Sequence, residues 1–214
     1  MVNINGNSIQ TLELIFLMTA ISLLPFVLLM MTCFTRIIIV LSFTRSAMGI
    51  QSTPPNAVLI GLALFLTLFV MSPVIDEITE TAYVPYRNEE ITQEEALQRG
   101  EIPLKKFMLR QTEHNALKLY EEMAGIEAQE KVEDLPLRVV VPAFMTTELK
   151  RALVMGFLIY IPFVLIDIIV SSTLMSMGMI MLPPAMISLP FKLLLFITVN
   201  GWELLFSTLV QSFN

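Results

Sequence analysis

Six ionisable side chains stand within or beside the long apolar stretches of this chain: Glu13, Arg36, Arg45, Asp167, Lys192 and Glu203. An ionised group in hydrocarbon costs several kcal/mol, so each must pair, face water or carry function. Three are acids and three are bases, so pairing within the chain or between subunits, fixing helix register, is the favoured reading. A proton or ion relay through Asp167 and Glu203 is the chemical alternative, and contact with interfacial water is a third. A second set is sulfur. Met175, Met177, Met179 and Met181 alternate just before Pro183-Pro184. A spacing of two puts all four on one face of an extended segment, and Gly178 with the proline pair favours a loop. A methionine-rich helix end packed in a core is the other reading. The flexible, polarizable thioether suits a surface that must seal against changing partners.

No catalytic constellation is present. His114 lies in a polar stretch, Cys33 stands alone in an apolar run, and no HExxH, CxxC, GxSxG or P-loop pattern occurs. The eight glycines are scattered, so nothing resembles a phosphate cradle. The net charge of -6 argues against nucleic acid, which calls for clustered Lys and Arg. The chain is expected to be no enzyme and to need no metal or cofactor.

The elements that position these residues are apolar. Of 214 residues 55% are hydrophobic by type and only 15% charged, and the mean hydropathy of +0.73 is that of a membrane or membrane-associated chain. Four stretches have membrane-helix length: 14–34 continuing through Arg36, 57–75, one from about 152 past Asp167 toward Met175, and one from about 190 to 210. They pair into two hairpins, each turning at a double proline, Pro54-Pro55 and Pro183-Pro184, suited to starting a helix. Pro25, Pro73, Pro162 and Pro190 predict kinked or broken helices. Of the 19 acids and 13 bases, 16 and 10 fall between Asp76 and Arg151, so a solvated block is inserted between the hairpins. There Thr92-Gln93-Glu94-Glu95 has the spacing of a capping box, with a helix end expected at Gly100. Apolar residues then recur at helical period from Pro103 to Ala124, with Gly125 as a stop, and Val139-Val140-Val141 is the one strand-like run. The fold class is therefore all-α: two long kinked helical hairpins (1–75 and 152–214, the second bearing the methionine loop) and a small helical extracytoplasmic domain (76–151). Arg36, Arg45 and Lys192 near the hairpin turns place both tips in the cytoplasm, leaving the acidic block and both termini outside. The first thirty residues lack a basic n-region and carry Glu13, so they do not read as a cleavable signal peptide.

Particular runs narrow the reading further. Met31-Thr32-Cys33-Phe34-Thr35-Arg36-Ile37-Ile38-Ile39-Val40-Leu41-Ser42-Phe43 resembles the signature of the FliP family of flagellar type III export-gate proteins. It is joined by 54–67, by Val141-Pro142-Ala143-Phe144 with Glu148-Leu149-Lys150, and by 174–179 through Pro190-Phe191-Lys192. The likeness covers nearly the whole chain, 79–134 being its least diagnostic part. The related injectisome export proteins are the nearest competitor, and the Pro54-Pro55-Asn56 turn looks more like the flagellar branch. The absence of the leader that many Gram-negative members carry is a departure.

The resemblance implies a channel-forming subunit of the flagellar protein export gate, in the bacterial inner membrane at the flagellar basal body. Five copies would assemble with two smaller membrane proteins of the FliQ and FliR types and with the FlhB type, in contact with lipid, to pass unfolded flagellar proteins. It further implies that Met175, Met177, Met179 and Met181 ring the channel as a seal. A small ion-coupled secondary transporter using Glu13, Asp167 and Glu203 remains the alternative from another class.

Overall fold

A computed structural model describes residues 2–4, 7–9, 11–50, 52–126, 132–179 and 181–213. The chain is all-α apart from a short antiparallel ribbon, β1 (Val2–Ile4) and β2 (Asn7–Ile9), ahead of the first helix. The first apolar stretch forms α1 (Thr11–Met30) and α2 (Phe34–Ala47) rather than one helix. The break at 31–33 is fixed by Thr32, whose hydroxyl donates to the Leu29 carbonyl at 2.8 Å and accepts the Phe34 N–H at 3.4 Å. In α2 the residues Arg36, Ile37, Val40, Leu41, Thr44 and Ala47 are buried, a stripe at helical spacing that faces the core.

Beyond Pro54-Pro55 the chain returns as α3 (Asn56–Ile78), with Pro55 at the N-cap position as the double proline predicts. A π-helical turn, Thr79–Tyr83, leads into α4 (Val84–Arg87). The middle block then forms α5 (Gln93–Gln111), opened by the expected capping box: Thr92 accepts the Glu95 N–H and the Glu95 carboxylate accepts the Thr92 N–H. This helix does not end at Gly100. It runs through Gly100 and Pro103, and Gly100 faces Ile78 and Ala82, which a Cβ there would meet at ordinary contact distances of 3.7 Å and 3.8 Å. α6 (His114–Ala124) does stop where expected, at Gly125, whose φ of 64° lets the Gly125 and Ile126 N–H groups cap the Glu122 and Glu121 carbonyls.

The expectation of strand at Val139-Val140-Val141 is overturned: these residues open α7 (Leu137–Ser176), a helix of 40 residues that begins well before Ala152 and carries Pro142 and Pro162 within it. Val139 and Val140 are both buried, Val140 in the cluster shared with α5 and α6, and tertiary packing overrides their β-branched preference. At 1.5 Å per residue α7 is about 60 Å long, the spine to which α2, α5, α6 and α8 attach. The fourth apolar stretch is two helices, α8 (Pro184–Thr198) and α9 (Gly201–Gln211), bent by 61°. Pro25, Pro73, Pro162 and Pro190 all lie inside helices that continue past them; the breaks fall elsewhere, at 31–33 and at Asn200, which takes a left-handed φ of 51°.

Two glycines set close approaches. A Cβ at Gly201 would sit 2.4 Å from the Phe196 ring, and one at Gly156 would sit 2.6 Å from Phe43 Cγ, where α2 crosses α7. Gly156→Leu is therefore expected to lower stability by about 1–3 kcal/mol through overpacking, read as a fall in the melting temperature of the detergent-purified protein; an unchanged melting temperature contradicts this packing.

Three apolar clusters make the interior. One joins α2, α3, α7 and α9 around Ile37, Leu41, Leu59 and Leu209; one joins α5, α6 and α7 around Met108, Leu135 and Phe144; one joins the end of α2 to α7 and α8 around Met48, Phe163 and Phe196. The helices from Asn56 to Arg87 and from Leu137 to Ser176 are long and apolar enough to cross a membrane, and the bent α8–α9 pair qualifies if taken as one span.

Candidate functional site

Two sites organise the functional side chains: a polar clasp at one end of the helices and a methionine tip at the other. The clasp centres on Arg36 in the first turn of α2. Its Nε donates to Glu148 Oε2 at 2.8 Å, its Nη2 to Glu148 Oε1 and, at 3.4 Å, to Gln111 Oε1, and its Nη1 to the Ser212 carbonyl at 3.1 Å and hydroxyl at 3.0 Å. All five guanidinium N–H groups are thereby used. The Phe213 ring covers the cation, its centroid 3.8 Å from Cζ. Gln111 closes the circuit, donating to the Phe213 carbonyl at 2.9 Å and accepting from Arg151 at 3.0 Å. Arg36 and Glu148 are both fully buried, so α2, α5, α7 and the segment after α9 meet at one desolvated ion pair.

The six charges singled out by sequence do not pair among themselves as a set. Arg36 takes Glu148, which lies within the acidic block but projects from α7 into the interior. Glu148, Gln111 and Ser212 were missed as functional partners because they are 112, 75 and 176 residues away along the chain. Arg45 closes the α2–α3 turn without an acid, donating to the Pro54 carbonyl at 3.1 Å and to Asn56 Oδ1 at 2.6 Å. Asp167 and Lys192 do pair, at 2.6 Å, and Ser188 donates to the other Asp167 oxygen at 2.6 Å. Glu203 is exposed in the first turn of α9, and among the described residues no hydrogen-bonded chain joins it to Asp167. The Glu13 side chain lies outside the described residues.

The methionines are not strung along an extended segment. Met175 lies in the last turn of α7, Met177 ends the helix, and Gly178, at φ 76°, turns the chain so that its N–H caps the Met175 carbonyl at 3.0 Å and the Met179 N–H caps Leu174 at 3.0 Å. A helix cap outcompetes strand geometry because glycine adopts the left-handed region at no steric cost. Met175 and Met177 thus belong to the helix end and Met179 and Met181 to the turn beyond it, so the four do not form one face of a strand. All four are exposed, Met181 to 97%, and so is Met186 in the first turn of α8, a fifth thioether that the alternating pattern did not reveal. The alternative of a methionine-rich helix end packed in this chain's own core does not hold.

The tip is chemically soft, apolar and unreactive; the clasp is rigid and saturated. Neither arrangement offers a nucleophile beside a base. What the chain presents is apolar surface: Phe65, Leu68 and Phe69 on α3, Phe157, Leu158, Leu165 and Ile169 on α7, and Leu194 and Ile197 on α8 are all exposed. Surface of this extent marks contact with lipid or other subunits.

The known proteins that this chain is similar to in sequence are flagellar. The model of the FliP family matches residues 17–209, which take in Arg36, Glu148 and the whole methionine tip. The flagellar biosynthetic protein FliP of Pectobacterium carotovorum subsp. carotovorum is 52% identical over 206 residues, 96% of this chain and 79% of that protein. The FliP of Bacillus subtilis (strain 168) is 51% identical over 207 residues, 97% of this chain and 94% of its own length. That of Aquifex aeolicus (strain VF5) is 47% identical over 211 residues, 98% and 88% of the two chains. Identity of this depth along the full run of helices means that the chain belongs to the FliP family and is a membrane-associated component of flagellar biosynthesis.

Proposed function

We propose that this chain is a channel-forming, non-enzymatic subunit of the flagellar type III export gate, passing unfolded flagellar proteins across the bacterial inner membrane at the basal body. About five copies would assemble with smaller membrane proteins of the FliQ and FliR types and with an FlhB-type protein, in line with the family resemblance and with the charged helices and the bent α8–α9 pair, which are tolerated at membrane depth when packed on protein. The observation that carries the reading is the cluster of five exposed thioethers at the tip of an apolar hairpin that this chain leaves uncovered.

Several copies of such a tip, brought to a common axis, close a bore by dewetting and deform around an unfolded polypeptide of any sequence, because thioethers have no stereospecific contacts to lose. The disposition of charge supports one orientation. A Cβ at Gly49, in the α2–α3 turn, would lie 3.7 Å from Leu189 and 3.9 Å from Lys192 Nζ, so that turn sits beside α8 and Arg45 and Lys192 share one end of the helices, whereas Arg36, expected there too, belongs to the clasp at the other end. The acidic block and the tail from Ser212 lie at the other end, beside the clasp. Short basic turns stay cytoplasmic, which puts the tips inside the cell and residues 76–151 outside.

The test is the mass of the particle extracted in mild detergent from cells expressing the chain with its flagellar operon. The expected result is a large complex holding several 24.2 kDa copies together with smaller membrane proteins. A lone 24.2 kDa species overturns the proposal.

A further inference from the structure

The Asp167–Lys192 pair lies midway along the methionine-bearing hairpin, and the packing above it differs from the packing around it. Both carboxylate oxygens of Asp167 are occupied, one by Lys192 Nζ and one by Ser188 Oγ, each at 2.6 Å. Lys192 and Ser188 are one helical turn apart on α8, so two donors from one face grip a single acceptor on α7. The Lys192 side chain is only 8% exposed, with the α2–α3 turn at Gly49 behind it, whereas Asp167 is 37% exposed. The grip is therefore anchored to the first hairpin on the α8 side and open on the α7 side.

Between this grip and the methionine tip, α7 and α8 are in contact but leave a groove open along one side. They bound an apolar crevice of about 430 Å³ whose walls include Ile169, Thr173 and Leu174 on α7 and Ile187 and Phe191 on α8. Side chains on that open side are not locked by a third helix, which leaves room for the two arms to close on one another or spread. The arms themselves are stiff: α7 continues nine residues beyond Asp167 to a capped end, and α8 begins at Pro184 with its angles fixed. Motion at the grip is carried to the tip without being absorbed in between.

We propose that Asp167, Lys192 and Ser188 form a fulcrum that sets the resting spread of the two arms, and through it the tightness of the methionine seal. The three are positioning residues, acting on the seal through the helices that bear it. The inference rests on the channel reading above and adds to it the element that returns the tip to its closed position once substrate has passed.

The experiment compares three complexes reconstituted in lipid vesicles with potassium efflux as the readout: the parent, a variant lacking 175–181, and the double variant Asp167→Leu/Lys192→Met. Replacing a partly buried ion pair by apolar residues of like size keeps packing while removing the directional grip. The expected result is a double variant of parental particle mass whose resting efflux is raised about tenfold, a modest shift of a closed–open balance. Restoring the pair in reversed order, Asp167→Lys/Lys192→Asp, is expected to bring efflux back toward the parent. A double variant that assembles and is as tight as the parent overturns the fulcrum, and so does one that no longer assembles, since the pair then serves folding. If the variant lacking 175–181 is itself tight, the seal reading fails on its own account, separately from the fulcrum.

Discussion

Glu148→Ala is expected to remove the protein from the membrane. The substitution strands the fully buried Arg36 guanidinium with its strongest acceptor gone. Breaking a buried pair from one side costs about 3–5 kcal/mol, a large share of the 5–15 kcal/mol by which whole domains are stable. The loss is not local, since the same guanidinium holds the Ser212 carbonyl and hydroxyl and stacks on Phe213. Freed from it, the end of α9 loses its tie to α2, and the apolar cluster around Leu205 and Leu209 opens with it. Immunoblotting of membranes, with swarming as the cellular readout, is expected to show little protein and no motility. Arg36→Lys is expected to do nearly as badly, because an ammonium supplies three donors where five are used and presents no plane to Phe213. The double variant Arg36→Met/Glu148→Leu, which removes both charges, is expected to accumulate better than Glu148→Ala. Wild-type levels of the Glu148→Ala protein contradict the clasp as the keystone of the fold.

The methionine tip is expected to behave in the opposite way. Replacing Met175, Met177, Met179, Met181 and Met186 by Ala leaves the chain intact, because exposed side chains away from caps and cores change stability by about 0.5 kcal/mol or less each. The backbone cap at Gly178 does not depend on them. What is lost is the deformable apolar plug: alanine is too short to meet its counterparts, and a bore that stays wetted conducts ions. Cells carrying this variant are expected to assemble the complex normally yet show a raised membrane conductance and sensitivity to small ions. Unchanged conductance with a fully assembled complex contradicts the seal.

The helices, the double-proline starts, the Thr92 capping box and the Gly125 stop were legible in the sequence because each is a local signal read within a few residues. So was the need of Arg36 for a partner. The partner was not. Glu148 sat among the acids counted as a solvated block, and only the rotation of α7 about its own axis turns it inward. Continuity was the other blind spot. Gly100 reads as a stop in isolation, yet α5 continues through it with that face packed beside Ile78 and Ala82. The break between α8 and α9 rests on Asn200 in the left-handed region followed by a glycine pressed on Phe196, a pattern with no periodicity to betray it. The methionine run was noticed for its spacing, which suggested a strand face; its exposure around a helix cap came from Gly178.

Convergence of the tips on a shared axis is the claim on which the rest depends, and cross-linking measures it directly. Cys33 is fully buried and the sole native cysteine, so a cysteine placed by Met181→Cys is the one accessible thiol on the chain. In the assembled, detergent-extracted complex, a short bis-maleimide is expected to join copies through position 181, giving bands at multiples of 24.2 kDa on a denaturing gel. Efficient labelling of that cysteine by a lipid-soluble maleimide, with every band remaining at 24.2 kDa, would place the tips apart in the bilayer and contradict the account.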